Sequence, residues 1–136
     1  MDSGVSLFKF INIIKYRTIT ITCFFFYFGE GLFLQFEESV IAQWEKLPAV
    51  QKQEAKLRKA YEGWRANRNM DPTKGFPGSR FYLMHTISHL FMRELALECG
   101  YNAASIQERI YAKAGDKPMA GILVYTAASD SDRKDP

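Results

Sequence analysis

The stretch from residue 7 to residue 36 is strongly apolar, and part of it alternates apolar and polar positions in a pattern that predicts β-strands. Residues 18–22 (TITIT) repeat β-branched side chains with a period of two, which is typical of a strand with one covered face. The glycines at positions 29 and 31 predict a turn or bulge before a last strand at residues 32–36. We therefore expect two or three strands between residues 7 and 36.

A charged helical segment follows the strands. Val40, Ile41 and Trp44 recur at helical spacing, and Pro48 predicts a break before a second helix over residues 49–67. Basic residues along this second helix and at its end are interleaved with acidic ones, which is typical of a solvated face and also permits contact with phosphate. The basic residues are Lys52, Lys56, Arg58, Lys59, Arg65 and Arg68.

A loop separates this segment from a long apolar helix. Residues 69–79 contain an Asp-Pro pair and the sequence GFPG, both strong loop signals. A helix should then run over residues 80–99, with Gly100 as its left-handed C-terminal cap. Because this helix is apolar on nearly every side, we expect it to be buried at the centre of the fold.

The C-terminal part of the chain predicts a β-hairpin. Residues 109–112 and 120–126 have strand character, and residues 115–118 (GDKP) have the composition of a hairpin turn. Ser105 and Glu108 also match a capping box, which leaves a short helix as an alternative to the first strand. The expected fold class is α+β: N-terminal strands, a charged helical segment, a long buried central helix and a C-terminal β-hairpin.

Composition indicates one globular domain. A chain of 136 residues that is 47% hydrophobic is long enough to bury one hydrophobic core and is short for two. The net charge of +3 permits contact with DNA without arguing for it. Cys23 and Cys99 are too few for a disulfide framework or a four-thiolate zinc site. We expect both to be small buried residues of a protein in the reducing cytoplasm.

The apolar N-terminal stretch leaves membrane association through residues 7–28 as an alternative function. Charged residues interrupt this stretch, and its longest uncharged run, residues 18–29, has twelve residues. A helix needs about 20 apolar residues to cross a bilayer. The pattern therefore favours strands, and we expect no membrane contact.

Two histidines form the sharpest candidate for chemistry. His85 and His89 lie four residues apart, the spacing of two metal ligands on one helix face. A metalloprotease helix carries a glutamate directly after the first histidine as general base, but Thr86 occupies that position here. The sequence nominates no third ligand. We expect both histidines to be buried, neutral and hydrogen-bonded to backbone or to a neighbouring carboxylate. A small metal-dependent hydrolase centred on this pair is the alternative.

The remaining patterns do not favour catalysis. Glu94 and Glu98 also lie four residues apart, a spacing at which ion pairing on a helix surface is common. Residues 29–31 lack the third glycine and the lysine of a phosphate-binding loop. We therefore expect the chain not to be an enzyme, with no catalytic residue, no bound metal and no cofactor.

Several phrases, read in order, resemble a known family. GEGLFLQF (29–36), FPG (76–78) and HTISHL (85–90) are followed by LALECGY (95–101), AASIQERIY (103–111) and AGILVYTA (120–127). Over residues 29–132 the chain resembles the MrfA-like zinc-binding domain, with its closest variant in the DrmB subunits of DISARM anti-phage systems. The candidate functional residues within these phrases are His85, His89, Glu98, Cys99, Glu108 and Arg109.

The resemblance implies an accessory scaffold with no known active site of its own. In that family the domain lies on or beside superfamily-two helicases that handle DNA, in repair or in defence. We therefore expect a helicase-type protein partner, with DNA as a second candidate contact.

The two ends of the chain depart from the family pattern. In family members the region matching residues 125–132 leads into a glycine-rich loop and a cluster of zinc-binding cysteines, whereas here residues 133–136 read RKDP. Zinc binding by that cluster is therefore not carried over. We expect an atypical strand-rich lead-in at residues 1–28, a partial domain at 29–132 and a frayed tail at 133–136. Such a truncated product would expose apolar surface and self-associate.

Overall fold

The computed structural model describes residues 8–16, 18–26 and 29–126, with side chains described for residues 18–23 and 29–126. The predicted tail at residues 133–136 lies outside the described residues. Strands and helices in the described part combine into an α+β fold, which confirms the expected fold class. The elements in chain order are β1 (Phe8–Tyr16), β2 (Ile19–Phe26), β3 (Gly29–Phe36), α1 (Glu38–Glu45), α2 (Pro48–Ala66), α3 (Ser79–Cys99), a 3-10 turn (Ala103–Ser105), β4 (Ile106–Lys113) and β5 (Met119–Thr126).

The described strands form one antiparallel sheet in the order β1-β2-β3-β5-β4. The C-terminal hairpin is as predicted, with Gly115 at φ 99° between its strands. Its second strand joins the N-terminal strands because β5 pairs with β3, where Leu34 lies opposite Ile122. The hairpin and the N-terminal strands are therefore parts of a single layer.

The turn or bulge predicted at residues 29–31 is wrong. Gly29, Glu30 and Gly31 lie in β3, and each pairs in regular register with a residue of β2. Because the pairing with β2 continues through these three residues, the two glycines extend the strand instead of interrupting it. The pairing of β1 with β2 is irregular in register between Phe10 and Asn12.

The helix boundaries follow the signals in the sequence. Pro48 occupies the first turn of α2, where its missing N–H costs no helical hydrogen bond. Gly100 ends α3 in the left-handed conformation with φ 72°, as predicted. No helix among the described residues combines the length and the apolar character needed to cross a bilayer.

The core lies between α3 and one face of the sheet. Met84 of α3 and Ile122 of β5 are fully buried at its centre. Around them pack apolar side chains from the sheet and from α1. The buried core residues are Leu34, Ile41, Met84, Ile106, Ala120, Ile122 and Val124.

The long helix α3 is buried along one line and not on nearly every side as predicted. Its buried residues are Ser79, Arg80, Met84 and Ser88. The sheet covers one face of the helix, where Leu83, Ile87 and Phe91 are partly buried against the core. Helix α2 contacts the start of α3 through Glu54 and Ser79 but has no buried residue of its own. Leu90 and Leu97 are consequently 59% and 67% exposed.

The alternative of a short helix starting at Ser105 is also wrong. Ser105 ends the 3-10 turn, and Glu108 lies within β4. The turn is capped by Asn102, whose side-chain oxygen accepts a hydrogen bond from the Ala104 N–H at 3.0 Å. Glu108 is thereby free to point from the strand toward α3.

Candidate metal centre

Helix α3 and strand β4 bring three candidate ligands together. His85 and His89 lie one turn apart on α3, and their ring centroids are 4.4 Å apart. From β4, Oε1 of Glu108 lies 3.5 Å from Nδ1 of His85 and 3.5 Å from Nε2 of His89. One ligand atom from each residue lies within 4.8 Å of the others. We call these three residues the His–Glu cluster.

The His–Glu cluster faces solvent on one side. The side chains of His85 and His89 are 44% and 60% exposed, whereas Glu108 is 22% exposed. The prediction that both histidines are buried core residues is therefore wrong. The reason is the position of β4 at the edge of the sheet, which leaves the adjacent face of α3 open.

A buried serine orients the carboxylate of the cluster. The Ser88 hydroxyl is fully buried and donates a hydrogen bond to Oε2 of Glu108. Oε1 of Glu108 is therefore directed toward the two imidazoles. Fixing one carboxylate oxygen through a neighbouring hydroxyl holds the second in place for a charged or coordinating partner.

One imidazole nitrogen of the cluster lacks a hydrogen bond. Nδ1 of His85 is buried and has no hydrogen-bond partner among the described residues, although Oε1 of Glu108 lies 3.5 Å away. Phe81 stacks on the same imidazole with ring centroids 5.6 Å apart and planes at 21°. Buried polar atoms without a hydrogen-bond partner are rare and destabilise a fold. We therefore expect this nitrogen to bind a ligand or to share a proton with the carboxylate.

The cluster is suited to two kinds of chemistry. Protonated imidazoles can form ion pairs with Glu108, and neutral imidazoles can coordinate a metal ion together with the carboxylate. Thr86, which takes the place of a metalloprotease general base, donates its hydroxyl to the Tyr82 carbonyl oxygen at 2.8 Å. Its side chain is therefore directed along the helix backbone.

The other candidate residues from the sequence do not join the cluster. Glu98 and Cys99 lie exposed at the end of α3. Cys99 and Cys23 line an apolar cavity of about 220 Å³ between that helix end and the sheet. Arg109 follows Glu108 on β4, so its side chain points to the opposite face of the strand.

Sequence reasoning did not identify Glu108 as the third member of the cluster. The signal that could have found it is the alternation along β4. Ile106 and Ile110 lie on the same strand face as Glu108 and pack against the core, so an acidic residue stands in an otherwise apolar row. A carboxylate at such a position requires a polar partner on the element that covers the strand.

A second polar cluster surrounds Arg80, which the sequence did not single out. Arg80 is 4% exposed and pairs with both carboxylate oxygens of Glu38, at 2.8 and 2.7 Å. It also donates hydrogen bonds to Glu45 and to the carbonyl oxygens of Lys113 and Met119. Arg80 therefore connects α3 with α1 and with the ends of β4 and β5.

The N-terminus of α3 is capped from another helix. Oε2 of Glu54 on α2 accepts hydrogen bonds from the hydroxyl and the backbone N–H of Ser79. The Ser79 hydroxyl is the largest influence that lowers the pKa of Glu54, while partial burial opposes it and Arg58 assists. The carboxylate also lies where the helix dipole favours negative charge.

Three of the six basic residues along α2 and just after it pack on aromatic rings. Arg58 lies 4.3 Å from the ring centroid of Phe76, and Arg68 lies 4.4 Å from that of Trp64. Arg65 lies 5.8 Å from the ring of Tyr61. In these cation–π contacts, the three arginines interact with aromatic side chains of their own part of the chain. The lysines at positions 52, 56 and 59 are exposed.

Comparison with known proteins shows a similarity to a DISARM protein. The chain matches no family model. It is 31% identical over 105 residues to the DISARM protein DrmB of Bacillus paralicheniformis, and the match covers 76% of this chain and 18% of that protein. The chain therefore spans less than a fifth of the length of the curated relative. This similarity supports a relationship to DISARM proteins, whereas the expected MrfA-like zinc-binding family is not matched by a family model.

Proposed function

We propose that this chain is a non-catalytic accessory module of a DISARM-type anti-phage defence system. In this role it binds a larger helicase-type protein in the cytoplasm and positions it, without acting on a substrate itself. The observation that carries the proposal is the similarity to DISARM protein DrmB over 76% of the chain. The ordered phrases that resemble the DrmB subunits support the same assignment.

The geometry of the His–Glu cluster favours an accessory role over a metal-dependent hydrolase. A hydrolase needs a general base beside its metal-bound water and a cleft that holds the substrate. Thr86 stands at the position of that base and hydrogen-bonds the helix backbone. Four pockets in the described part of the chain are lined by residues outside the cluster.

The outer face of α3 is the surface through which we propose that the chain binds its partner. We define this face by Leu90 and Leu97, which lie two turns apart on the helix and are 59% and 67% exposed. Single exposed apolar residues are ordinary, but a pair on one helix face is suited to a protein contact. Because these two leucines are about two thirds exposed, burying the rest of both side chains stabilises a complex by about 2–4 kcal/mol before the costs of association.

Co-expression with the helicase-type subunit of a DISARM system tests the proposal. The chain should co-elute with that subunit in size-exclusion chromatography, and adding it should change the plaquing efficiency of phage on cells that carry the system. Replacing Leu90 and Leu97 together by glutamate should abolish co-elution, because two charges would have to be buried.

Leu47→Glu provides the matched control. Leu47 is 50% exposed and precedes α2, away from the outer face of α3. This variant should co-elute like the wild-type chain. A chain that elutes separately from every subunit of the system and leaves plaquing unchanged would contradict the proposed function.

A further inference from the structure

The His–Glu cluster presents two imidazole nitrogens and one carboxylate oxygen to a common point. We propose that His85, His89 and Glu108 bind a single divalent transition-metal ion, with Zn²⁺ as the best fit. Zinc accepts imidazole nitrogen and carboxylate oxygen, and it tolerates three protein ligands with water in the fourth position. This inference goes beyond the proposed accessory role and does not depend on it.

The distances between the ligand atoms match the size of a zinc site. Tetrahedral coordination with bonds of about 2.0–2.1 Å places neighbouring ligand atoms about 3.4 Å apart. Oε1 of Glu108 lies 3.5 Å from Nδ1 of His85 and 3.5 Å from Nε2 of His89. All three atoms lie within 4.8 Å of one another, so a small rotation of the exposed His89 ring completes the site.

The unpaired nitrogen of His85 points to an ion instead of a simple hydrogen-bonded network. Nδ1 is buried and makes no hydrogen bond among the described residues, although it faces Oε1. Two imidazoles also approach this same oxygen atom. A metal ion placed between the three atoms satisfies both nitrogens and the carboxylate charge at once, whereas in a hydrogen-bonded network two N–H donors would share Oε1 at distances of 3.5 Å, which are long for hydrogen bonds.

Ser88 supports the proposed site by holding the carboxylate of Glu108. It is fully buried, it lies on α3 between the two histidines, and its hydroxyl donates to Oε2 of Glu108. This contact orients the carboxylate so that Oε1 faces the imidazoles. Outer hydrogen bonds of this kind typically raise metal affinity by about 10–100-fold.

The bound ion would connect α3 directly to the edge strand of the sheet. Two ligands come from α3 and the third comes from β4, whose outer side has no neighbouring strand in the described sheet. Such a site binds the folded chain and not the unfolded one, so the metal raises the unfolding temperature by mass action. The exposure of His89 also makes the ion accessible to chelators and its binding reversible.

Titration of the metal-free full-length chain with Zn²⁺ tests this inference. Isothermal titration calorimetry should show one ion per chain, and saturating Zn²⁺ should raise the melting temperature by roughly 5 °C or more. Substitution with Co²⁺ should give the intense visible absorption of a tetrahedral complex with nitrogen and oxygen ligands, without a thiolate charge-transfer band.

Single substitutions assign the ion to the cluster. His89→Ala removes an exposed imidazole, so the chain should stay folded by circular dichroism while Zn²⁺ affinity falls at least 100-fold. Glu108→Gln should have a similar effect, and Ser88→Ala should weaken binding about 10-fold with the stoichiometry unchanged. Glu98→Gln and Cys99→Ala are the matched controls, because both residues lie on α3 outside the cluster, and both should bind Zn²⁺ like the wild-type chain.

Three results would overturn the inference. The first is the absence of a stoichiometric site in the folded wild-type chain. The second is an affinity that His89→Ala leaves unchanged, and the third is binding that Cys99→Ala abolishes. None of these measurements involves a partner protein, so failure of the metal site leaves the accessory role to be judged on its own experiment.

Discussion

Replacing Arg80 by methionine tests whether one buried guanidinium holds α3 against its neighbours. Arg80 donates hydrogen bonds to Glu38 and Glu45 on α1 and to two backbone carbonyl oxygens at the ends of β4 and β5. Methionine preserves most of the aliphatic stem but leaves two carboxylates without a cation and removes the side-chain donor from two carbonyl oxygens. We therefore expect the variant to fold and to be markedly less stable.

The magnitude follows from the burial of the three charged groups. Removing one partner of a buried ion pair typically costs about 3–5 kcal/mol. The side chains of Glu38 and Glu45 are 39% and 25% exposed, so water partly solvates them once Arg80 is gone. The loss should therefore lie near 3 kcal/mol, which lowers the melting temperature by roughly 10 °C in a domain of this size.

The expected loss does not depend on pH around neutrality. Burial alone would lower the pKa of Arg80, but hydrogen bonds and charge attraction from Glu38 and Glu45 outweigh it and raise that pKa above its ordinary value. When the pKa of a group is higher in the folded state than in the unfolded state, the group contributes its full stabilisation at pH values below its unfolded-state pKa. This stabilisation is lost as pH rises through the folded-state pKa. For an arginine both values lie far above neutral pH, so one measurement at neutral pH is sufficient.

Urea denaturation followed by circular dichroism measures the effect. Arg109→Met is the matched control, because Arg109 is an exposed arginine of β4 outside this network, and its free energy of unfolding should stay within about 0.5 kcal/mol of wild type. Arg80→Lys should give an intermediate loss, since lysine keeps the charge without the planar fork. Equal midpoints for Arg80→Met and Arg109→Met would refute the reasoning.

Three further perturbations have defined outcomes. Glu54→Gln should cost about 1 kcal/mol at neutral pH by weakening the cap on Ser79. Because the pKa of Glu54 is lowered from 4.5, that stabilisation is present above 4.5 and is lost as pH falls through the folded value, so the two unfolding curves should converge in acid. Gly121→Ala should cost about 1–3 kcal/mol in a urea titration, because the added Cβ would lie 3.0 Å from a phenyl carbon on β3. The wild-type chain alone should self-associate in analytical ultracentrifugation, and glutamate at both Leu90 and Leu97 should restore a monomer; a monomeric wild type would contradict this.

The elements of this fold could be predicted because their signals are local. Pro48 and Gly100 mark helix ends through their own backbone restrictions, and the alternation at residues 18–22 belongs to a single strand. The pairing of β3 with β5 could not be predicted in the same way. It joins Leu34 to Ile122 across most of the chain, and any other apolar strand would satisfy the same local pattern.

The candidate metal centre could be predicted only in part, again because only its local signals can be recognised in the sequence. The spacing of His85 and His89 follows from helical geometry, which the sequence shows directly. Glu108 meets them because α3 lies across β4, and that crossing depends on how the whole helix is rotated about its axis. An apolar helix without a clear polar face does not reveal this rotation in its sequence.

Two polar side chains fix the rotation of α3. Arg80, Met84 and Ser88 are spaced four residues apart and form its buried line, with the apolar Met84 between two polar anchors. Arg80 bonds to the ends of both hairpin strands and Ser88 bonds to Glu108 within β4, so any rotation of the helix would break buried hydrogen bonds. Apolar packing alone would accept many rotations, whereas buried polar pairs accept few. The same orientation places the histidines beside Glu108 and turns Leu90 and Leu97 away from the sheet, so one set of anchors positions both the proposed metal site and the proposed partner surface.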